Sequence, residues 1–242
     1  ETRGTSVPRN PKGHFGTLLA LRWLDEQDIN QPKLMFSIDD RKTRSWLELT
    51  SDDDNRADYF AIYPDEELET LYFDVVEIKT HDDIADQVLD WSDALQVESE
   101  GTEADSEVSD DDFLRGSSLK QAIKTGKVIE QIFSDSDSTI VPPRREALRQ
   151  QLFYELDEFL DSYEGDKLDL IELFNSAFRP GSDIVDVRPR TVVVDLEERD
   201  DENARYRGRY TTGEDDALTW SDPVQADILT AHDVYDLMTN EP

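Results

Sequence analysis

The sequence predicts an α/β fold, and three observations carry that prediction. Segments with the apolar spacing of amphipathic helices alternate with short runs of aromatic and β-branched residues. Three of those runs follow one helical segment in succession, KLMFSI (33–38), ADYFAIYP (57–64) and ETLYFDVVEIKT (69–80). The strongest helical pattern of all, PPRREALRQQLFYELDEFLDSY (142–163), falls in the second half, so a mainly helical C-terminal extension with late strands is expected.

The elements follow in chain order. Residues 1–13 are polar and rich in turn formers and read as loop. FGTLLALRWLDEQ then places Leu18, Leu21 and Trp23 or Leu24 on one helical stripe. After the strand at 33–38, DDRKTRSWLEL (39–49) suits a short helix and TSDDDNR a loop. The second strand ends at Pro64, DEEL turns the chain, and the third strand runs over 69–80. DDIADQVLDWSDALQV (82–97) has helical spacing, and ESEGTEADSEVSDDD (98–112) is too charged to pack and is expected as a disordered insertion. SSLKQAIKTGKVIEQIF (117–133) restores helical periodicity, with Ser117 or Ser118 as its cap. The helix over 142–163 carries prolines at its start, where they are tolerated. LDLIELFNSAF (168–178) is a further helix, PRTVVVDLEE (189–198) and RYRGRYTT (205–212) are strands, and PVQADILTAHDVYDLM closes the chain as a helix.

Composition narrows the function classes. The 242 residues carry 58 Asp plus Glu against 25 Lys plus Arg, a formal net charge of −33, and the acids are spread over the whole length. Such self-repulsion is tolerable only when concentrated counterions screen it. A salt-adapted, halophilic surface is therefore expected, in preference to an acidic decoy for basic partners, which needs one contiguous acidic face. Acidity of this origin reflects the solvent more than the ligand. With no cysteine, disulfides, thiolate metal sites and cysteine nucleophiles are excluded. No apolar run approaches the length of a membrane span, and a cytoplasmic location without membrane contact is expected. The opening ETRGTSVPRNPKG, beginning at Glu1, suggests a piece of a larger protein.

The chemistry centres on FDVVEIKTHDD (73–83). Strand side chains alternate, so Phe73, Val75, Glu77 and Lys79 share one face while Val76 and Ile78 take the other. A hairpin through 64–68 brings Asp58, at the start of the second strand, toward Glu77 and Lys79 at the end of the third. Two carboxylates there make a hard-oxygen site suited to Mg²⁺ or Mn²⁺. The ammonium beside them can act on an attacking water and offset charge on a phosphorane. That combination suits metal-assisted phosphodiester cleavage. The plain alternatives are a cross-strand ion pair on a solvated face for Glu77 and Lys79, and a solvated strand start for Asp58.

In this arrangement the chain resembles the PD-(D/E)XK, or restriction-endonuclease-like, nuclease superfamily over roughly residues 13–135. The resemblance rests on Asp58 in RADYF, on Glu77 and Lys79 in VVEIKT, and on the order helix, three strands, helix. It implies a mixed sheet flanked by helices, a nuclease core at 1–135 containing the acidic insertion 98–112, and an extension at 136–242 packed on that core. It further implies a Mg²⁺- or Mn²⁺-dependent DNA endonuclease in which Asp58 and Glu77 hold the metal, Lys79 acts on water and transition state, and Gln121 helps position them, with Gln131 a weaker candidate. Members often carry a metal-assisting glutamate on the first helix. Here only Glu26, near its end, stands close to that role. RREALRQQLFYEL and LDLIELFNSAF are similar to nuclease domains attached to helicases or ATPases of DNA-defence and restriction systems. That likeness implies DNA and a fused or associated ATPase as partners and a homodimer as an option. An inactive nuclease-like binding or assembly module is the alternative.

Other chemistries find no support. The chain has no phosphate-binding G-x-x-x-x-G-K-[ST] or G-x-G-x-x-G loop, no H-E-x-x-H and no G-x-S-x-G. His14 is expected to cap or pack, His81 to lie in a surface loop and His232 to start a helix. Asp74 points away from Glu77. The cation clusters Arg41, Lys42 and Arg44, then Arg144, Arg145 and Arg149, then Arg205, Arg207 and Arg209 are candidates for phosphate contacts or for partners of nearby acids.

Overall fold

The computed structural model describes residues 11–27, 34–47, 56–65, 69–81, 90–97, 108–133, 142–162, 167–179, 182–196, 204–211, 218 and 220–239. The chain is an α/β protein with a nine-strand mixed sheet packed against helices. In order, the elements are α1 (Pro11–Gln27), β1 (Leu34–Ser37), α2 (Arg41–Trp46), β2 (Tyr59–Pro64), β3 (Leu71–His81), β4 (Asp90–Asp93), β5 (Leu95–Val97) and β6 (Phe113–Arg115). They continue with α3 (Ser117–Phe133), α4 (Pro142–Ser162), α5 (Lys167–Ala177), β7 (Val185–Asp195), β8 (Ala204–Tyr210), β9 (Val224–Leu229) and α6 (Ala231–Thr239).

The strands lie in the order β1-β2-β3-β7-β9-β8-β6-β4, with β5 also on β8. β1, β2 and β3 are antiparallel neighbours, and β7 runs parallel to β3 from Leu71↔Val185 to His81↔Asp195. That pairing joins the stretches before and after residue 135 in a single sheet. β3 and β7 are interior strands of that sheet, and most of their described residues are buried whichever face they take.

Alternation along β3 separates two cores. Phe73 and Val75 pack with Phe60 and Ile62 of β2 against α3, α4 and α5. Val76 and Ile78 pack with Leu19, Ala20, Trp23 and Leu24 of α1 and with Val234 and Leu237 of α6. A series of ring contacts runs through the first core, stacked between Phe36 and Phe60 at 4.8 Å and tilted between Phe73 and Phe133 at 5.0 Å between centroids.

Several sequence expectations need correction. The segment 82–97 is not a helix where it is described: residues 90–97 form β4 and β5, which pair with β6 and β8. Leu95 and Val97 flank an exposed Gln96, an alternation that strand pairing satisfies and a helix does not. Residues 82–89 lie outside the described residues. The closing helix is β9 followed by α6, because Val224, Ala226 and Ile228 fill one core while Leu229 fills the other. Thr230 starts α6, its backbone N–H and hydroxyl both donating to Asp233 Oδ2 at 2.7 and 2.6 Å, the reaching-back arm of a capping box. Helix α1 begins at Pro11 rather than after residue 13, and its buried stripe is Gly16, Leu19, Ala20, Trp23 and Leu24, leaving Leu18 67% exposed. His14 sits inside this helix and is exposed, so it neither caps nor packs. Of the acidic stretch, 98–107 lies outside the described residues, whereas Ser109–Asp112 form a hydrogen-bonded turn in which Asp112 N–H donates to Ser109 O at 3.2 Å.

Helix α1 approaches β3 closely at Gly16. A Cβ added there would lie 2.7 Å from Cβ of Thr80, and a β-branched neighbour cannot swing aside. Replacing Gly16 with alanine is expected to destabilise the fold by about 1–3 kcal/mol, as overpacking does. Denaturant titration in concentrated KCl checks this, and an unchanged midpoint would contradict the close packing.

Candidate active site

Asp58 is the residue immediately before β2, and its position is fixed on three sides. Its backbone N–H donates to Val76 O at 3.1 Å, its C=O accepts from Ile38 N–H at 2.8 Å, and its Oδ2 accepts from Ile78 N–H at 2.9 Å. The register Tyr59↔Val76 sets Asp58 across from Glu77 one step further along the pair. Helix α3 braces the same segment, with Ala57 N–H donating to the buried Thr125 hydroxyl at 2.9 Å.

Glu77 is 1% exposed in the middle of the sheet. Its backbone carbonyl accepts from the Thr191 hydroxyl of β7 at 3.2 Å. One carboxyl oxygen, Oε1, forms an ion pair with Lys79, and the other, Oε2, is buried with no hydrogen-bond partner. Lys79 Nζ also donates to Gln121 Oε1 at 3.2 Å, and its side chain is 29% exposed, so the site opens toward solvent through the lysine. Gln121 stands one turn before Thr125 on the face of α3 that meets β3. The alternation of β3, its pairing with β2 and the packing of α3 bring Asp58, Glu77, Lys79 and Gln121 together. The glutamine bonded to Lys79 is Gln121, not Gln131.

Charge shapes the site. Burial and the neighbouring Asp58 carboxylate push the Glu77 pKa up to about 8, against which Lys79 pulls it down. Burial also raises the Asp58 carboxyl above its ordinary range, opposed by the Ile78 N–H and by Lys79. A third acid, Asp39 in the turn after β1, lies near enough to repel both. Arg56 holds Asp39 at 2.8 Å.

A divalent cation fits what these residues lack. Two repelling carboxylates and an unpartnered buried oxygen call for positive charge, and the oxygen donors suit Mg²⁺ or Mn²⁺. No group of three or more His, Cys, Asp or Glu arranged for a metal occurs among the described residues, so water or substrate would have to complete the shell.

Other candidates separate from the site. Asp74, on the opposite face of β3, is buried and pairs with Arg190 Nη1 at 3.6 Å. Arg149 is 2% exposed and donates to the C-terminal carbonyls of α3, Ile132 O at 2.5 Å and Phe133 O at 2.8 Å, so it cannot contact phosphate. Arg205 pairs with Asp227 at 3.1 Å and Arg209 with Asp110 at 2.6 Å. His232 is exposed near the start of α6 and pairs with Asp236. The side chains of Glu26, Arg41, Lys42, His81, Arg144 and Arg145 lie outside the described residues. Thr125, Thr191, Arg56 and Asp39 escaped the sequence reading. For Thr125 alone a signal existed, its spacing of four from Gln121 on one helix.

No family model, curated protein or solved structure matched the chain when compared.

The raised Glu77 pKa gives a testable pH dependence. Folding holds a proton on Glu77 that the unfolded chain releases near its ordinary value of 4.5, so this group's contribution to stability is full below that pH. It declines as pH rises toward about 8 and is then lost. Glu77→Gln removes the ionisation, so this variant is expected to melt higher than the parent at pH 8–9, the gap narrowing toward pH 5. Thermal melts across that range, without divalent metal, check it. Parallel curves would contradict the assignment.

Proposed function

We propose that this chain is a metal-dependent DNA endonuclease domain with a restriction-endonuclease-like core. The order α1, β1, β2, β3, α3, β7, with three antiparallel strands and β7 parallel to β3, supports that reading. The single observation that carries it is the buried, unpartnered Glu77 Oε2 beside Asp58, with Lys79 bridging from Glu77 to Gln121.

A Mg²⁺ or Mn²⁺ ion held by Asp58 and Glu77 would polarise a scissile phosphate and offset its charge. Asp58 is held ready by the Ile78 N–H, which fixes one oxygen and its carboxyl plane. Glu77 supplies an oxygen that no protein donor occupies. Lys79 is held between Glu77 and Gln121, where its ammonium can orient the attacking water and donate to phosphate oxygens as negative charge builds. Water adds to phosphorus and passes a proton to solvent or to a basic group at the site, one P–O ester bond breaks, and the leaving sugar oxygen takes up a proton from solvent. The proposal includes a halophilic setting, a DNA-defence or restriction role and an associated ATPase or helicase, because high salt weakens phosphate contacts steeply and DNA must be held by further contacts.

One observation favours a second reading, an inactive nuclease-like binding or assembly module: only two acids stand ready as ligands, and no third completes a set among the described residues. Plasmid cleavage in concentrated KCl distinguishes the two. With Mn²⁺ or Mg²⁺ the parent is expected to nick supercoiled DNA, and Lys79→Ala to lose at least about 10²-fold in rate, the scale of one removed transition-state donor. Equal nicking by both would assign the activity elsewhere. No nicking by the parent, with or without an ATPase partner, would favour the module.

A further inference from the structure

Lysine is scarce in this chain, eight residues in all, and three of them stand on α3 at positions 120, 124 and 127. At about 100° per residue, spacings of four and seven set Lys120, Lys124 and Lys127 within about 60° of one another around the helix. The buried residues of α3, among them Leu119, Ala122, Gly126, Ile129 and Phe133, occupy the opposite side, and all three lysines are partly exposed. Gln121 lies on the flank between these two sides, where it accepts from Lys79 at 3.2 Å. The lysines therefore form an outward ridge running alongside the candidate active site.

Three features fit this ridge to a polyanion. It spans about 10 Å along the helix, the axial length of about three phosphates on one DNA strand. It begins in the first turn of α3, a turn that itself carries no acid and where the helix dipole adds positive potential. Glu130, the one acid of α3, lies beyond its far end. Lysine suits the task, since its stem packs on the helix while the ammonium reaches outward. On a chain of net charge −33, a strand of DNA can approach only where the field is locally reversed.

We propose that Lys120, Lys124 and Lys127 form the surface that tracks the DNA phosphate backbone beside the scissile bond. The inference deepens the nuclease reading and rests on it for the identity of the ligand. The ridge contributes affinity and register, without base specificity.

The test uses the full chain and a fluorescein-labelled DNA duplex, with EDTA present to prevent cleavage. Binding anisotropy is measured at a series of KCl concentrations for the parent, for Lys120→Gln/Lys124→Gln/Lys127→Gln, and for a charge-matched control, Lys167→Gln/Arg179→Gln/Arg209→Gln. Far-UV circular dichroism confirms folding of each. Loss of three phosphate contacts is expected to make the slope of log K against log salt shallower by about 2.7 in the ridge variant, at about 0.9 per contact. The control is expected to keep the parent slope. Equal slopes in ridge variant and parent, or equal losses in ridge variant and control, would overturn the proposal. Turnover of bis(p-nitrophenyl) phosphate with Mn²⁺, too small to reach the ridge, is measured in parallel. Retained turnover with unchanged DNA binding overturns the ridge alone, whereas absent turnover in every version counts against the catalytic reading, with the slopes still deciding the ridge.

Discussion

Two carboxyl groups side by side inside a protein repel each other, and burial adds to the difficulty by removing the water that would separate them. Asp58 and Glu77 are such a pair, and the surrounding structure is arranged to hold them in place. Backbone donors and hydroxyls fix the segments that carry them, through Ile78, Thr125 and Thr191. Below about pH 8 a proton on Glu77 relieves the repulsion, and above it Lys79 offsets the charge. A buried oxygen with no partner is uncommon in a folded protein and costs stability. Its presence here, flanked by a lysine that reaches solvent, is the physical reason to read the pair as a site for a cation.

The sheet makes this possible by placing β3 inside it. On the β7 side Glu77 is in register with Thr191, whose hydroxyl donates to its carbonyl, leaving its side chain available to the site. On the opposite face a buried ionic cluster ties the same strands together. Arg190 of β7 reaches Asp227 of β9 at 2.6 Å and Asp74 of β3 at 3.6 Å, while Arg205 of β8 meets Asp227 at 3.1 Å. Both guanidinium groups lie near the Trp23 ring of α1, at 5.3 and 5.9 Å from its centroid. Buried pairs of this kind are little screened by salt, unlike surface pairs, and so suit a chain whose charge calls for concentrated ions.

Much of the site was legible in the sequence because its signals are local. Alternation in FDVVEIKT assigns Glu77 and Lys79 to one face without knowledge of the fold, and the apolar spacing of 117–133 defines α3 and with it Gln121. What stayed hidden depends on tertiary pairing. The strand character of 90–97 and 224–229 arises from pairing with β8, β6 and β7, since both segments also carry spacings a helix could use. Thr230 and Asp233 did mark the start of α6 within the apparent closing helix, as a threonine followed three residues later by an acid. The buried stripe of α1 was misassigned because Gly16, which carries no side chain, is the position that touches the sheet. Thr191 gave no signal, because its role arises only once β7 lies beside β3.

The measurement that tests the central claim most directly is Mn²⁺ binding in concentrated KCl, where screening suppresses diffuse attraction to the acidic surface. Titration followed by the electron paramagnetic resonance of free Mn²⁺ counts saturable sites in the parent and in Asp58→Asn/Glu77→Gln. The account predicts one saturable site per chain in the parent and none in the double variant. Equal binding by both, in chains equally folded, would contradict it.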